Sequence, residues 1–224
     1  MSTGAGLPDF RGPNGIYRRE MGVEPERIFD IDWFNRDPSF FYGFHREFLR
    51  SLETIQPTFS HFFFSRLEKT GKLSGVITQN IDALHQRAGS EKVLEIHGSV
   101  WKSACTDCGK SWGYKESLSM TFTSKIPRCD FCNGIIKPDV VFFGEMVKHL
   151  EESREMAQGS DLFIVAGSSL VVTPAALLPS LSRGRIIVVN RGNTDENNLP
   201  GSRVEIFADE DIDTFFQQVE NFLC

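Results

Sequence analysis

The sequence contains no run of 18 apolar residues, so it offers no transmembrane helix. Its first residues lack the basic and apolar regions of a signal peptide. No dense run of Lys or Arg indicates a non-specific nucleic-acid surface, and the formal net charge is −6. We therefore expect a cytoplasmic protein that binds neither nucleic acid nor membrane, and we expect a monomer.

Cysteine is also scarce, but four of the five cysteines form two Cys-x2-Cys pairs, Cys105/Cys108 and Cys129/Cys132, separated by twenty residues. Without an export signal, a disulfide framework is not expected. Zn²⁺ prefers thiolates, and four of them leave no open position for water, so the pairs predict one structural zinc ion. Chance cysteines or a redox pair are the alternatives. We interpret Cys224 as a spectator.

The apolar pattern predicts an α/β fold. Short continuous apolar strands alternate with helices, as in a parallel sheet covered on both faces. The expected strands are 73–78, 93–96, 140–143, 161–166 and 185–190, and the expected helices are 37–52, 57–69, 147–158, 174–181 and 211–223. Residues 101–136 lack periodicity, which predicts a small metal-held module that interrupts the larger domain.

Polar residues follow several of the expected strands, where open parallel sheets bind ligands. They are Thr78-Gln79-Asn80-Ile81-Asp82, His97-Gly98, Gly167-Ser168-Ser169 and Asn190-Arg191-Gly192. Each has another interpretation, as a helix cap, a structural histidine or an ordinary turn. Together they favour a nucleotide across the sheet edge. Gly4-Ala5-Gly6 follows no strand and is not a dinucleotide-binding fingerprint.

These residues, taken in order, resemble the sirtuins. The motifs that carry the resemblance are Gly6 to Arg11, Thr78 to Asp82, Leu84 to Gly89, Glu95 to Gly98, the four cysteines, Pro138 to Glu145 and Gly167 to Val172. The resemblance implies a Rossmann-like NAD-binding domain with a small domain made of a helical and a zinc-binding module. The implied division is 1–15, 70–100 and 137–224 for the NAD-binding domain, 16–69 for the helical module and 101–136 for the zinc-binding module.

The function implied by the resemblance is that of an NAD-dependent protein-lysine deacetylase or deacylase. Such an enzyme transfers the acyl group from lysine to ADP-ribose and releases nicotinamide, and its partners are acylated lysine peptides or proteins. Two alternatives stay open from the sequence. One is a mono-ADP-ribosyltransferase on the same fold, and the other is a non-catalytic zinc-containing binding module.

The resemblance also implies a set of site residues. The catalytic residues are His97, Asn80 and Asp82. The cofactor-binding residues are Phe10, Arg11, Gln79, Asn80, Asp82, His97, Gly167, Ser168, Ser169, Asn190, Arg191 and Asp211. The acyl-lysine peptide would lie against Val141, Phe143, Gly144 and Val172, adding as a strand beside 142–145, and the metal ligands are Cys105, Cys108, Cys129 and Cys132.

The sequence departs from the family pattern in two places. Sirtuins begin with a strand that ends in Gly-Ala-Gly-Ile-Ser, whereas Met1-Ser2-Thr3 aligns with the last residues of that motif. We therefore expect the sequence as given to bind NAD weakly or not at all. The desuccinylase-like subclass carries a Tyr and an Arg on the acyl-pocket helix, where this chain aligns His45 and Phe48. Neutral acyl groups, chiefly acetyl, are therefore expected.

Overall fold

The computed structural model describes residues 1–7 and 25–223, and we number its elements along that part of the chain. The N-terminal half is mainly helical and contains two short parallel strands. Its elements are α1 (Ile31–Arg36), α2 (Ser39–Thr54), α3 (Phe59–Lys69), β1 (Val76–Thr78), α4 (Leu84–Arg87) and β2 (Val93–Glu95). Carboxylates cap the first turns of two helices. Asp30 accepts a hydrogen bond from the Trp33 amide at α1, and Asp37 accepts one from the Ser39 amide at α2.

An antiparallel ribbon with one helix follows. Its elements are β3 (Gly98–Cys105), β4 (Ser111–Gly113), α5 (Tyr114–Thr123) and β5 (Ile136–Val140). The strand order in the ribbon is β4-β3-β5. Regular structure therefore fills much of the segment that we expected to be irregular. Helix α5 begins where the Glu116 carboxylate accepts the Gly113 amide at 3.2 Å, a local cap without an apolar period.

The C-terminal part is a parallel sheet with helices. It contains α6 (Leu150–Gln158), β6 (Leu162–Ala166), α7 (Leu178–Leu181), β7 (Arg185–Val189), β8 (Val204–Ala208) and α8 (Ile212–Leu223). Strand β7 lies between β6 and β8 in parallel register, and Ile186, Val188 and Val189 are fully buried. This central apolar strand confirms the expected α/β class with parallel sheets.

Aromatic packing forms much of the core. Phe29, Phe34, Phe41 and Phe142 meet mostly edge to face, with ring centroids 4.9–6.0 Å apart. Each such buried side chain contributes roughly 1.5–3 kcal/mol relative to exposure. A second cluster joins α3 to α8, where Phe216 stacks on Phe63 at 5.1 Å. The longest helix, α2, has 16 residues, and none within 25–223 is long and apolar enough to cross a membrane.

Three buried histidines make a testable prediction about acid stability. Burial lowers the pKa of His45 and His61 to about 3 and that of His85 to about 4. In the unfolded chain the pKa is about 6.5, so below that pH the unfolded state binds protons that the folded state does not. We expect the free energy of unfolding to fall by up to ~4 kcal/mol per pH unit below about pH 6, measured by urea titration.

The matched variant for this prediction is His61→Gln. The His61 Nδ1 atom accepts the Thr58 amide at 3.1 Å, a capping contact that a glutamine oxygen can also make. The variant should therefore keep α3 and lose about one third of the pH slope. A free energy of unfolding that is constant between pH 7.5 and 5 would contradict the prediction.

Candidate active site and metal centre

Strands β1 and β2 bring His97 to the Gln79–Asp82 segment. The two strands pair in parallel, with Thr78 opposite Glu95, so the residues that follow them emerge at one edge. The Nδ1 atom of the half-buried His97 lies 3.1 Å from the Gln79 carbonyl oxygen. Because a carbonyl oxygen only accepts, Nδ1 carries the proton and Nε2 is the basic nitrogen of the neutral ring.

Asn80 and Asp82 are joined by a residue that sequence reasoning missed, Ser2. The Ser2 hydroxyl donates to Asp82 Oδ2 at 2.5 Å and accepts from Asn80 Nδ2 at 2.7 Å. The other oxygen of the buried Asp82 carboxylate accepts the Leu84 amide at 2.9 Å. Asn80 and Asp82 are thus fixed relative to each other, in the segment whose Gln79 carbonyl contacts His97. The available signal was the alignment of Ser2 with the serine that ends the sirtuin glycine motif.

A second polar group follows β6 and connects to the first. Gln79 Nε2 donates to the Ser168 hydroxyl at 3.3 Å, so the ends of β1 and β6 meet at one polar edge. Gly167 has a φ of +68°, and a Cβ there would lie 2.8 Å from the Ile212 side chain. A glycine is therefore required where the Ile212 side chain packs against this turn, and the adjacent Ser169 adds a second hydroxyl. Such a glycine-serine turn fits a nucleotide phosphate.

The remaining expected cofactor residues have structural roles in the molecule. The Asn190 amide donates to the Thr194 hydroxyl at 2.9 Å and so holds the turn after β7. Asp211 accepts the Thr214 amide at 3.1 Å and thereby caps α8. Arg191 is exposed beside that turn. Phe10, Arg11 and Cys224 lie outside the described residues.

The expected peptide-binding residues lie on two loops. Val141 is next to the histidine, because its amide donates to the His97 carbonyl at 2.8 Å. Phe143 is 44 % exposed, and Gly144, with a φ of +93°, is exposed beside it. Val172 lies between β6 and α7, where its carbonyl accepts the Ala176 amide. The His97 end of the ribbon thus borders the loop at 141–144.

The four paired cysteines meet at one point and fit a zinc ion. Their sulfur atoms all lie within 4.8 Å of one another, with Cys105 3.4 Å from Cys132 and Cys108 3.7 Å from Cys129. A tetrahedral Zn²⁺ site with bonds of about 2.3 Å has sulfur atoms about 3.8 Å apart. Backbone amides of Asp107 and Phe131 donate to the Cys105 and Cys129 sulfurs and so orient them as metal ligands. The set therefore suits one structural ion.

Comparison with known proteins agrees with this geometry. Residues 1–174 match the model of the Sir2 family. An NAD-dependent protein deacetylase of Thermotoga maritima is 43% identical over 204 residues, 89% of this chain and 81% of the relative. One from Saccharolobus solfataricus is 43% identical over 203 residues, 89% of this chain and 80% of the relative.

Solved structures give the same result. A Sir2 structure with a p53 peptide and NAD+ is 37% identical with a TM-score of 0.85, covering 100% of this chain and 90% of that one. A Sir2 structure with a propionylated peptide is 36% identical with a TM-score of 0.86, covering 99% of this chain and 89% of that one. The fold and site define an NAD-dependent protein deacetylase with a structural zinc site. The chain belongs to the Sir2 family.

Proposed function

We propose that this chain deacetylates protein lysines with NAD, using His97 as the general base beside Asn80 and Asp82. The observation that supports this role best is the hydrogen bond from Nδ1 of His97 to the Gln79 carbonyl. It holds the ring in the tautomer whose Nε2 atom accepts a proton, and a histidine has a suitable pKa for that work near neutral pH.

The residues around His97 divide the remaining tasks. When bound, NAD supplies a ribose carbon that becomes electrophilic as nicotinamide leaves. Asn80 and Asp82, fixed through Ser2, would hold the nicotinamide end of NAD. Gln79 would contact the ribose, and Nε2 of His97 would accept the proton of a ribose hydroxyl. The other expected NAD contacts are Phe10, Arg11, Gly167, Ser168, Ser169, Asn190, Arg191 and Asp211.

The acyl-lysine peptide, in this proposal, binds beside the loop at 141–144 through main-chain hydrogen bonds. The Phe143 amide and carbonyl are already bonded to Phe29 and Ile31, and the Phe142 amide to the Glu145 carboxylate. Among the described residues, no hydrogen bond engages the Gly144 backbone. Gly144 therefore offers the open main-chain edge, and Val141, Phe143 and Val172 border the acyl-lysine.

Mass spectrometry of an acetylated target protein incubated with the chain and NAD tests the activity. We expect loss of the acetyl group that depends on NAD, measured over a range of NAD concentrations. A gain of ADP-ribose on the target would instead indicate the mono-ADP-ribosyltransferase alternative. Peptide binding without any modification would indicate a non-catalytic binding module. Either outcome would contradict the proposal.

The acyl preference follows from the helix α2. His45 is buried, stacks on Phe41 with centroids 5.1 Å apart, and stays neutral because burial lowers its pKa to about 3. Arg46, the neighbouring cation, donates to the carbonyls of Thr121, Tyr42, Ser124 and Lys125. In the described part of α2, the cation beside His45 is thus engaged by backbone carbonyls and does not offer a partner for a succinyl carboxylate.

We therefore expect faster turnover of an acetyl-lysine peptide than of the matched succinyl-lysine peptide. The difference in kcat/KM should be about tenfold or more, since an unpaired carboxylate would be desolvated against apolar side chains. Parallel assays with the two peptides measure it. Faster succinyl turnover would contradict the assignment of His45 and Phe48 to the acyl pocket.

Three further expectations belong to the same proposal. The division into an NAD-binding domain, a helical module and a zinc-binding module remains our proposal for the domain organisation. A monomeric state without nucleic-acid partners also remains a prediction, as does a cytoplasmic location. Size-exclusion chromatography with light scattering measures the oligomeric state directly, and a dimer would contradict the expected monomer.

A further inference from the structure

Lys137 is a buried lysine whose role is not explained by the proposed catalytic steps. It lies on β5 with its side chain only 10% exposed. Its ammonium donates to the Val140 carbonyl at 2.5 Å and to Glu145 Oε2 at 2.8 Å. The same nitrogen lies 4.0 Å from the centroid of the Phe142 ring. The ammonium is therefore satisfied on two oxygens and one aromatic face.

Glu145 uses the same carboxylate oxygen to hold the loop that follows β5. Oε2 accepts the Phe142 amide at 2.7 Å, while the Glu145 amide donates to the Phe142 carbonyl at 3.0 Å. These two bonds close a tight turn that contains Phe143 and Gly144. The turn requires a glycine at 144, because φ is +93° and a Cβ would lie 2.8 Å from the Ile31 side chain.

Both ends of this loop are bonded to the strand end that carries the histidine. The Val141 amide donates to the His97 carbonyl at 2.8 Å, and the Lys148 amide donates to the Ile96 carbonyl at 2.9 Å. The middle of the loop is held by the bond between Lys137 and Glu145. The position of Gly144 relative to His97 therefore depends on this internal ion pair.

We propose that Lys137 and Glu145 form a latch that sets the position of the 141–144 loop, and with it the register of the acyl-lysine peptide against His97. Both are positioning residues, because they act through the loop backbone. The inference rests on the proposed function, since it takes 141–144 as the peptide-binding edge. Misplacing a substrate by about 1 Å can cost about 100-fold in rate.

The two partners differ in burial, because the Lys137 side chain is 10% exposed and that of Glu145 is 32% exposed. Desolvation lowers the pKa of Lys137, and the hydrogen bond and charge of Glu145 oppose that shift. Removing the Glu145 carboxylate leaves the buried Lys137 ammonium without its counter-ion, whereas removing Lys137 leaves a carboxylate that still reaches solvent. Removing both charges with groups of similar shape avoids that penalty but loses the link between β5 and the loop.

The test uses Lys137→Met, Glu145→Gln and the double variant of the full chain. We expect the KM for an acetylated peptide to rise about tenfold to 100-fold in Lys137→Met, while the KM for NAD stays within about twofold. The double variant should be no worse than the worse single variant, because both act on one contact. Lys137→Arg, which keeps a cation for Glu145, should recover part of the peptide affinity.

The matched control is Arg154→Met, which breaks the exposed ion pair with Glu151 on α6 and should change neither KM. Calorimetric peptide titration without turnover is the second measurement, and thermal unfolding shows whether each variant folds. If Lys137→Met fails to fold, the KM of the charge-free double variant for the peptide tests the latch in its place. An unchanged peptide KM in a folded variant, or additive single effects, would overturn the latch while leaving the deacetylase intact. A parent chain that neither binds nor deacetylates the peptide would refute both.

Discussion

Replacing His97 with Tyr is expected to abolish deacetylation within the limits of measurement, while peptide binding remains. General-base catalysis contributes about 10²- to 10⁴-fold to rate, and no other described base lies at the Gln79 carbonyl. The proposed peptide edge at Gly144 offers main-chain groups that the substitution leaves in place, so calorimetric titration with the acetylated peptide should give a dissociation constant close to that of the parent chain.

His97→Asn distinguishes loss of the basic nitrogen from loss of the hydrogen bond to the Gln79 carbonyl. The asparagine amide can still donate to the Gln79 carbonyl, but its side chain has no basic nitrogen. We expect the same loss of kcat with little change in thermal stability. His149→Gln, at an exposed histidine before α6, is the control and should keep full activity. A His97→Asn variant with more than about one tenth of the parent kcat would contradict the base assignment.

Loss of the zinc ion is expected to have the largest effect on stability. Structural zinc contributes about 10–16 kcal/mol to the folding of small modules, more than such a module can draw from its own core. That core is small here and consists of Cys105, Cys129 and Ile136 with partly buried Trp112 and Met120. We expect Cys129→Ser to lose the metal and to lower the melting temperature by about 10 °C or more.

The same loss should reach the active site through the ribbon. Strand β3 starts at Gly98, next to His97, and ends at Cys105, while β5 pairs with it from Ile136 back to Val140. At ~3.3 Å per residue this ribbon spans roughly 25 Å between the thiolates and the histidine. A melted zinc module therefore leaves β3 and β5 unsupported, and turnover should fall with the melting temperature.

Metal analysis and differential scanning calorimetry check the zinc prediction together. The parent chain should hold one zinc ion per molecule, and chelation should reproduce the Cys129→Ser phenotype. Cys224→Ser, at the fifth cysteine, is the matched control and should keep both the metal and the melting temperature. A stable and active chain after complete removal of zinc would show that the four thiolates do not support the fold.

The features that the sequence predicted well are those encoded within short segments. The Cys-x2-Cys pairs predicted a cluster that the structure assembles, and the apolar run of β7 predicted a buried central strand. His97 and Gln79 could be placed together because parallel strands end at one edge. Each of these inferences needs only local pattern and one general rule of sheet geometry.

The features that the sequence concealed depend on distant partners. The apolar run 140–143 predicted a strand, but β5 ends at Val140. The next three amides donate to His97, Glu145 and Phe29 in turn, and so do not pair with a single neighbouring strand. The paired phenylalanines also separate, with Phe142 buried and Phe143 44% exposed. Ser2 links Asn80 and Asp82 through hydrogen bonds to side chains about eighty positions away along the chain.

Product analysis of a single reaction tests the central claim most directly. The chain, NAD and an acetyl-lysine peptide are incubated, and the products are quantified by mass spectrometry. We expect equal amounts of free lysine peptide, nicotinamide and O-acetyl-ADP-ribose, with neither the free lysine peptide nor O-acetyl-ADP-ribose formed by the His97→Tyr variant. Deacetylation that yields free acetate without consuming NAD, or that persists in the variant, would contradict the account.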